Sequence, residues 1–204
     1  MGAITFARLR RDDFRLLAKW LSEPTVARWW DHETTPEALE DDFGAGIDGT
    51  EPTHVFLAWF EGRPFGLIQR YAIADYPEYV EELSTICPQP QGAVSIDYLI
   101  GEPDCRGRGL GAAMIAAFVA DSWAAYPDAS AVVVAMHQAN AASWRAVARA
   151  GFRRIAEGLL TPDNPIDNRD HYIYQVDRPD EALSGRRRGN GRCAAARAPS
   201  DGPR

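Results

Sequence analysis

Six residues constrain this chain most: Arg106-Gly107-Arg108-Gly109-Leu110-Gly111. Ahead of them runs Ala93 to Ile100, an apolar, β-favouring stretch. Behind them runs Ala112 to Ala125, rich in Ala, Met, Ile and Phe, which predicts a helix. A strand, a glycine-rich turn and a helix start make an anion cradle. Glycine lets the backbone approach a phosphate closely, and a helix N-terminus presents unpaired N–H groups and partial positive charge.

The rest of the chain supplies the frame. Ile4 to Arg10 alternates like a half-buried strand, and Asp12-Asp13 are positioned to cap a helix from Phe14 to Leu21. Pro24 opens a short helical segment ending in Trp29-Trp30, and Thr35-Pro36-Glu37 marks another helix start. Val55 to Phe60 and Phe65 to Ile73 form a hairpin around Glu61-Gly62-Arg63-Pro64. Asp75 to Gly92 reads as a long acidic connection of the functional or mobile kind. Ala131 to Met136 is a strand. Asn140 caps a helix that closes at Gly151, and Phe152 to Glu157 and His171 to Val176 are the last strands. The expected order is β-α-α-β-β-β-α-β-α-β-β, an α/β domain over residues 1–178.

Charge is distributed unevenly over the 204 residues. Residues 1–178 carry 16 basic and 26 acidic side chains, whereas the stretch from Pro179 to Arg204 has six Arg and three acids. That tail is poor in large apolar residues and is expected to be a disordered basic extension. An acidic body argues against nucleic acid as a partner and suits a cationic small molecule. No apolar run approaches the roughly 18 residues of a membrane span, and the first 20 residues lack a signal-peptide pattern. The three cysteines are scattered, and no His/Cys spacing suggests a metal. A cytoplasmic protein without metal or membrane partner, monomeric or homodimeric, is the expectation.

Three phosphate motifs compete for the turn. A nucleotide P-loop needs a Lys after its last Gly, and the one lysine here is Lys19. A dinucleotide fold needs Gly-x-Gly-x-x-Gly early in a βαβ unit, whereas Gly107, Gly109 and Gly111 are spaced two apart and follow three antiparallel-looking strands. The third is Arg/Gln-x-x-Gly-x-Gly/Ala, matched by Arg106, Gly109 and Gly111. A tight turn without a ligand is the plain alternative.

With Asn140 and Ala150-Gly151-Phe152 following at the right distance, the third motif resembles the coenzyme A loop of the Gcn5-related N-acetyltransferases. Within that superfamily, residues 5–178 look like the aminoglycoside 6′-N-acetyltransferases. The matching pieces include Trp20-Leu21, Trp29-Trp30, Glu61 to Gly66 with Gln69 and Tyr71, Ser95-Ile96-Asp97, and Thr161-Pro162-Asp163. The resemblance implies a mixed, mostly antiparallel sheet flanked by helices and acetyl-CoA as cofactor. It places Arg106, Gly107, Arg108, Gly109, Leu110, Gly111, Ala112, Asn140 and Ser143 at the cofactor. It also implies a splayed strand with a backbone N–H near Leu99 or Ile100 facing the thioester.

Acetyl transfer to an amine requires that the ammonium lose a proton. Asp97, an acid inside an apolar strand, is the expected catalytic group: it would bind the amine and take its proton, directly or through water. A solvated or ion-paired strand aspartate is the alternative. Trp30, Asp75, Glu78, Glu81, Glu82, Asp97 and Tyr98 are expected to bind the substrate, because a cationic sugar suits carboxylates and flat aromatic faces. Asp31, Glu33, Asp163, Asp167 and Asp170 extend that rim. His137 is more economically read as structural. Two family features are missing. Val147 stands where relatives have a tyrosine near the sulfur, and Ala135 where close relatives have an aspartate. Tyr98 and Tyr172 are weak substitutes as acids.

The resulting expectation is acetyl transfer to the 6′-amine of an aminoglycoside, or of another cationic small-molecule amine. The rivals are a siderophore-assembly acyltransferase acting on hydroxylysine, a protein N-acetyltransferase and a silent coenzyme A-binding domain.

Overall fold

The computed structural model describes residues 2–162 and 164–179. Residues 180–204, on which most of the tail expectation falls, and Asp163 lie outside the described residues. The strands are β1 (Ile4–Arg8), β2 (His54–Phe60), β3 (Arg63–Ala72), β4 (Val94–Ile100), β5 (Ala131–His137), β6 (Arg153–Leu159) and β7 (Asp170–Asp177). The helices are α1 (Phe14–Leu21), α2 (Pro24–Ala27), α3 (Pro36–Asp48), α4 (Pro77–Ser84), α5 (Leu110–Ala125) and α6 (Ala141–Arg149). They build one seven-stranded sheet of order β1-β2-β3-β4-β5-β7-β6. Every neighbouring pair is antiparallel except β4 and β5, as expected of a mixed, mostly antiparallel sheet.

Strand alternation divides the core. Leu57, Leu67 and Leu99 lie opposite one another across β2, β3 and β4 and meet Leu17, Trp20, Leu39 and Phe43 of α1 and α3. Ile68 and Ile96 face the other way, onto Met114 and Phe118 of α5. On β5 the same alternation sends Val133 toward Leu83 of α4, and Val132 and Val134 toward α5 and α6. Thus α1 to α4 cover one face and α5 and α6 the other.

Local signals explain most helix ends. Thr35 Oγ1 accepts the Ala38 N–H at 3.2 Å, Pro36 fills the first turn, and Gly49 closes α3 with φ 74°. Asn140 Oδ1 accepts the Ser143 N–H at 3.1 Å at the start of α6. Asp13 departs from expectation. Its carboxylate accepts the Arg10 N–H at 2.9 Å, closing a single 3-10 turn (Arg11–Asp13) that leads into α1, so it makes no side-chain cap to that helix.

The acidic stretch from Asp75 to Gly92 is the larger correction. It contains α4, which the expected element order lacks. Pro77 sets the first turn, and Tyr79, Val80 and Leu83 form a short apolar stripe, with Leu83 fully buried. Glutamates between these positions obscure the stripe in the sequence. The four-residue α2 is the short helical segment expected from Pro24, and it ends at Ala27, before Trp29-Trp30.

Arg178 pins the end of α5. Its guanidinium is buried and donates to the carbonyls of Ala129 (2.7 Å), Trp123 (3.0 Å) and Tyr126 (2.5 Å). These carbonyls lie at and just beyond the helix C-terminus, where a cation is also favoured by the dipole, and that of Tyr126 accepts the Ala129 N–H as well. Arg178→Ala is expected to lower stability by about 2–3 kcal/mol, read as a lower urea midpoint at unchanged slope.

Candidate active site

Strands β4 and β5 touch only at their beginnings, where Val94 lies opposite Val132. Beyond that point they diverge. The β5-facing edge of β4 then has no strand partner, and its backbone groups face a gap. The gap is the floor of a cleft of about 560 Å³ lined by Ile96, Asp97 and Tyr98 of β4 and by Val134 to His137 of β5. The splay expected near Leu99 and Ile100 is therefore present in the sheet.

The glycine turn lies where β4 ends. Gly107 and Gly109 have φ of 70° and 81°, conformations that strain any residue with a Cβ, and Gly109 is the N-cap of α5. A Cβ built on either would meet no atom within 4 Å, so the turn borders open space. Leu110, Gly111 and Ala112 occupy the first turn of α5, where N–H groups lack intrahelical acceptors. This backbone fits a pyrophosphate. The Arg106 side chain does not reach toward it. Arg106 Nε and Nη2 donate to the carbonyls of Ile100 and Gly101, each at 3.0 Å, and Nη1 to Thr25 Oγ1. Arg106 therefore ties the turn to the end of β4 and to α2, leaving only its backbone for the cradle. Arg108 is exposed, its Nη1 donating to Asp104 O at 3.3 Å. Leu99 is buried toward α1 and α3, and Ile100 is half-buried.

Asp97 lies in the cleft wall, half-buried, on the face covered by α1 to α4. Gln69 is its cross-strand neighbour and donates through Nε2 to Asp97 Oδ2 at 3.0 Å. Gln69 thus orients the carboxylate without neutralising it. Tyr71, next along the same face of β3, lines the cleft with Tyr79, Trp29 and Trp30. Trp29 is held between the Arg28 guanidinium (4.3 Å) and the His137 ring (5.8 Å).

The expected acidic rim is only partly assembled. Asp75, in a 3-10 turn (Ile73–Asp75), and Glu78 and Glu81, on α4, are exposed and lie outside the cleft lining. Glu82 lines the cleft, but it accepts the N–H and hydroxyl of Thr161 at 3.0 and 2.5 Å, with Arg169 3.6 Å away. Asp167 also lines it and holds Arg28 bidentately at 2.7 and 2.5 Å, which keeps its carboxyl below the usual range. Both acids fasten the 160–170 loop over the cleft. Asp31 lines the cleft, whereas Glu33 and Asp170 do not. His137 is fixed structurally. Its Nδ1 accepts the Ala139 N–H (3.1 Å), so its Nε2 donates to Asn168 (2.8 Å). Among the described residues no group of His, Cys, Asp and Glu is arranged to hold a metal, and no helix is long and apolar enough to cross a membrane.

On the other side of the gap, Asn140 and Ser143 at the start of α6 line the cleft together with Tyr98. Val147, one turn further, is fully buried in the core. Gln69, Tyr71, Tyr79 and His171 are lining residues that the sequence does not single out as site residues. Strand register brings Gln69 opposite Asp97, and α4, which the expected order lacks, brings Tyr79 to the same cleft.

The structure is similar to that of aminoglycoside acetyltransferase AAC(6′)-Ib in complex with coenzyme A, with a TM-score of 0.73 at 21% identity over 91% of this chain and 99% of that one. An aminoglycoside N(6′)acetyltransferase from Legionella pneumophila gives 0.66 at 21% over 91% and 97%. A spermidine N-acetyltransferase SpeG chimera from Vibrio cholerae and hSSAT gives 0.65 at 14% over 88% and 98%. No curated protein matches the chain. A family model described as an acetyltransferase (GNAT) domain matches residues 10–160, about three-quarters of the sequence. The splayed sheet, the glycine turn and this match place the chain in the GNAT acetyltransferase family.

Proposed function

We propose that the protein transfers an acetyl group from acetyl-coenzyme A to the 6′-amine of an aminoglycoside. The observation that carries the reading is Asp97, held by Gln69 in the wall of a cleft that passes through the β4–β5 gap. Acetyl-coenzyme A is the donor cofactor of the family and, when bound, supplies the acetyl group as an activated thioester. The N–H groups of Leu110, Gly111 and Ala112 would hold its pyrophosphate, with Asn140 and Ser143 lining the cleft beside it.

Asp97 binds the acceptor ammonium and takes its proton, directly or through a water, so that the nitrogen lone pair is exposed where the acetyl group arrives. Gln69 orients the carboxylate by donating to Oδ2. Trp30 and Tyr71 offer flat faces to a ring, and Asp31 offers a second cation contact. The resemblance of the fold to AAC(6′)-Ib structures solved with kanamycin and with ribostamycin supports the sugar as acceptor.

The test is a thiol-release assay with acetyl-coenzyme A and a panel of amines. Turnover with kanamycin-type drugs, and none with their 6′-hydroxyl counterparts, is expected. Turnover confined to hydroxylysine, a polyamine or a peptide N-terminus would replace the acceptor and leave the acetyl transfer standing.

A further inference from the structure

His171 stands at the start of β7 and lines the same cleft as Asp97. Strand alternation puts it on the face of Ile173, which packs with Leu83 of α4, so both side chains lie on the α1–α4 side of the sheet. The order β4-β5-β7 separates them by two strand spacings, about 10 Å. The His171 ring is buried, and its register partner on β5 is His137.

The two histidines differ in what they leave open. His137 uses both nitrogens, one toward Ala139 and one toward Asn168. His171 Nδ1 lies 2.9 Å from the Arg169 carbonyl. A carbonyl only accepts, so Nδ1 carries a hydrogen, and Nε2 of the neutral ring keeps its lone pair. Among the described residues nothing bonds to Nε2. A buried ring in a cleft wall with an open acceptor suits a donor that arrives from outside the chain.

The surroundings select the donor. Asp167 holds Arg28, and Glu82 holds Thr161 with Arg169 nearby. An ammonium against Nε2 would therefore join two guanidiniums whose carboxylates are already engaged. A hydroxyl brings a hydrogen and no charge.

We propose that His171 Nε2 accepts a hydrogen bond from a hydroxyl of the acceptor while Asp97 holds the amine about 10 Å away. The inference rests on the reading of Asp97 as the amine site but not on a sugar as acceptor. It makes His171 a specificity-determining residue. The favoured substrate is an amino alcohol long enough to place its two groups at opposite sides of the cleft.

The test compares kcat/KM for heptylamine, 7-aminoheptan-1-ol and kanamycin A by thiol release. Wild type is expected to favour aminoheptanol over heptylamine by about 5–20-fold. His171→Phe keeps a flat ring and removes the acceptor. It should erase that preference and lower kcat/KM for kanamycin A by a similar factor, through KM, while heptylamine stays within about twofold. His171→Gln, which retains a carbonyl acceptor, should recover part of the preference. A wild type without the preference overturns the proposal. So does a His171→Phe loss on heptylamine as large as that on aminoheptanol, which would mark a purely structural role. An intact preference with kanamycin A idle upholds the proposal and replaces the sugar as acceptor. A wild type idle with all three overturns the amine reading and this inference with it.

Discussion

Asp97→Asn lowers kcat for the amine acceptor by about 10²–10⁴-fold, the range expected when a positioned general base is lost. The substitution conserves shape, and the new amide oxygen can still accept the Gln69 N–H that now reaches Asp97 Oδ2 at 3.0 Å. Backbone pairing of Gln69 with Asp97 is untouched, so β4 keeps its register. The negative charge that attracts the ammonium and the lone pair that accepts its proton are both removed. Acceptor KM therefore rises with the fall in kcat, whereas acetyl-coenzyme A affinity stays within about threefold, because the carboxylate lies on the α1–α4 face of the sheet and the glycine turn leads into α5 on the other. Steady-state kinetics and calorimetry check the two halves separately. Near-normal turnover at every pH would remove Asp97 from the chemistry. A parallel loss of acetyl-coenzyme A binding would show that the strand, not the carboxylate, had been damaged.

What was legible in the sequence was what depends on near neighbours. The positive φ angles of Gly107 and Gly109, the Asn140 cap and the Thr35 cap all follow from residues within a few positions. An acid inside an apolar strand also marks Asp97 without further information. Long-range partnerships were not legible. Glu82 resembles a free rim carboxylate until Thr161, 79 residues later, folds onto it, and Asp167 until it meets Arg28 across 139 positions. Composition alone therefore overstates the acidity available to a cation. Arg106 fits the loop motif, yet its side-chain donors are turned to Ile100, Gly101 and Thr25. Register supplied the rest: Gln69 becomes a partner of Asp97 only once β3 and β4 are aligned.

Glu102 determines how the fold tolerates acid. It lies two residues past the end of β4, is buried, and accepts the Trp20 indole N–H at 2.8 Å, Lys19 at 3.0 Å and Arg63 at 2.6 Å. These bonds, the Trp20 one foremost, hold its carboxyl down at about 2. Because the folded-state value lies below the unfolded one, the unfolded chain binds the proton first as pH falls. The stabilisation is complete above about pH 4.5, the ordinary glutamate value, and is lost between there and about pH 2. The Lys19 and Arg63 side chains are more than half exposed, so their share is screened by salt, whereas Trp20 is fully buried. Glu102→Ala leaves the indole N–H without its acceptor and is expected to cost about 2–4 kcal/mol at neutral pH. Its denaturation midpoint should also fall less steeply than that of the wild type between about pH 4.5 and 2. Parallel midpoint–pH curves for the two proteins would show that other carboxylates set the acid limb. Because Glu102 anchors α1 to the segment between β4 and the glycine turn, acetyl-coenzyme A affinity should weaken along with stability in this variant, in contrast to Asp97→Asn.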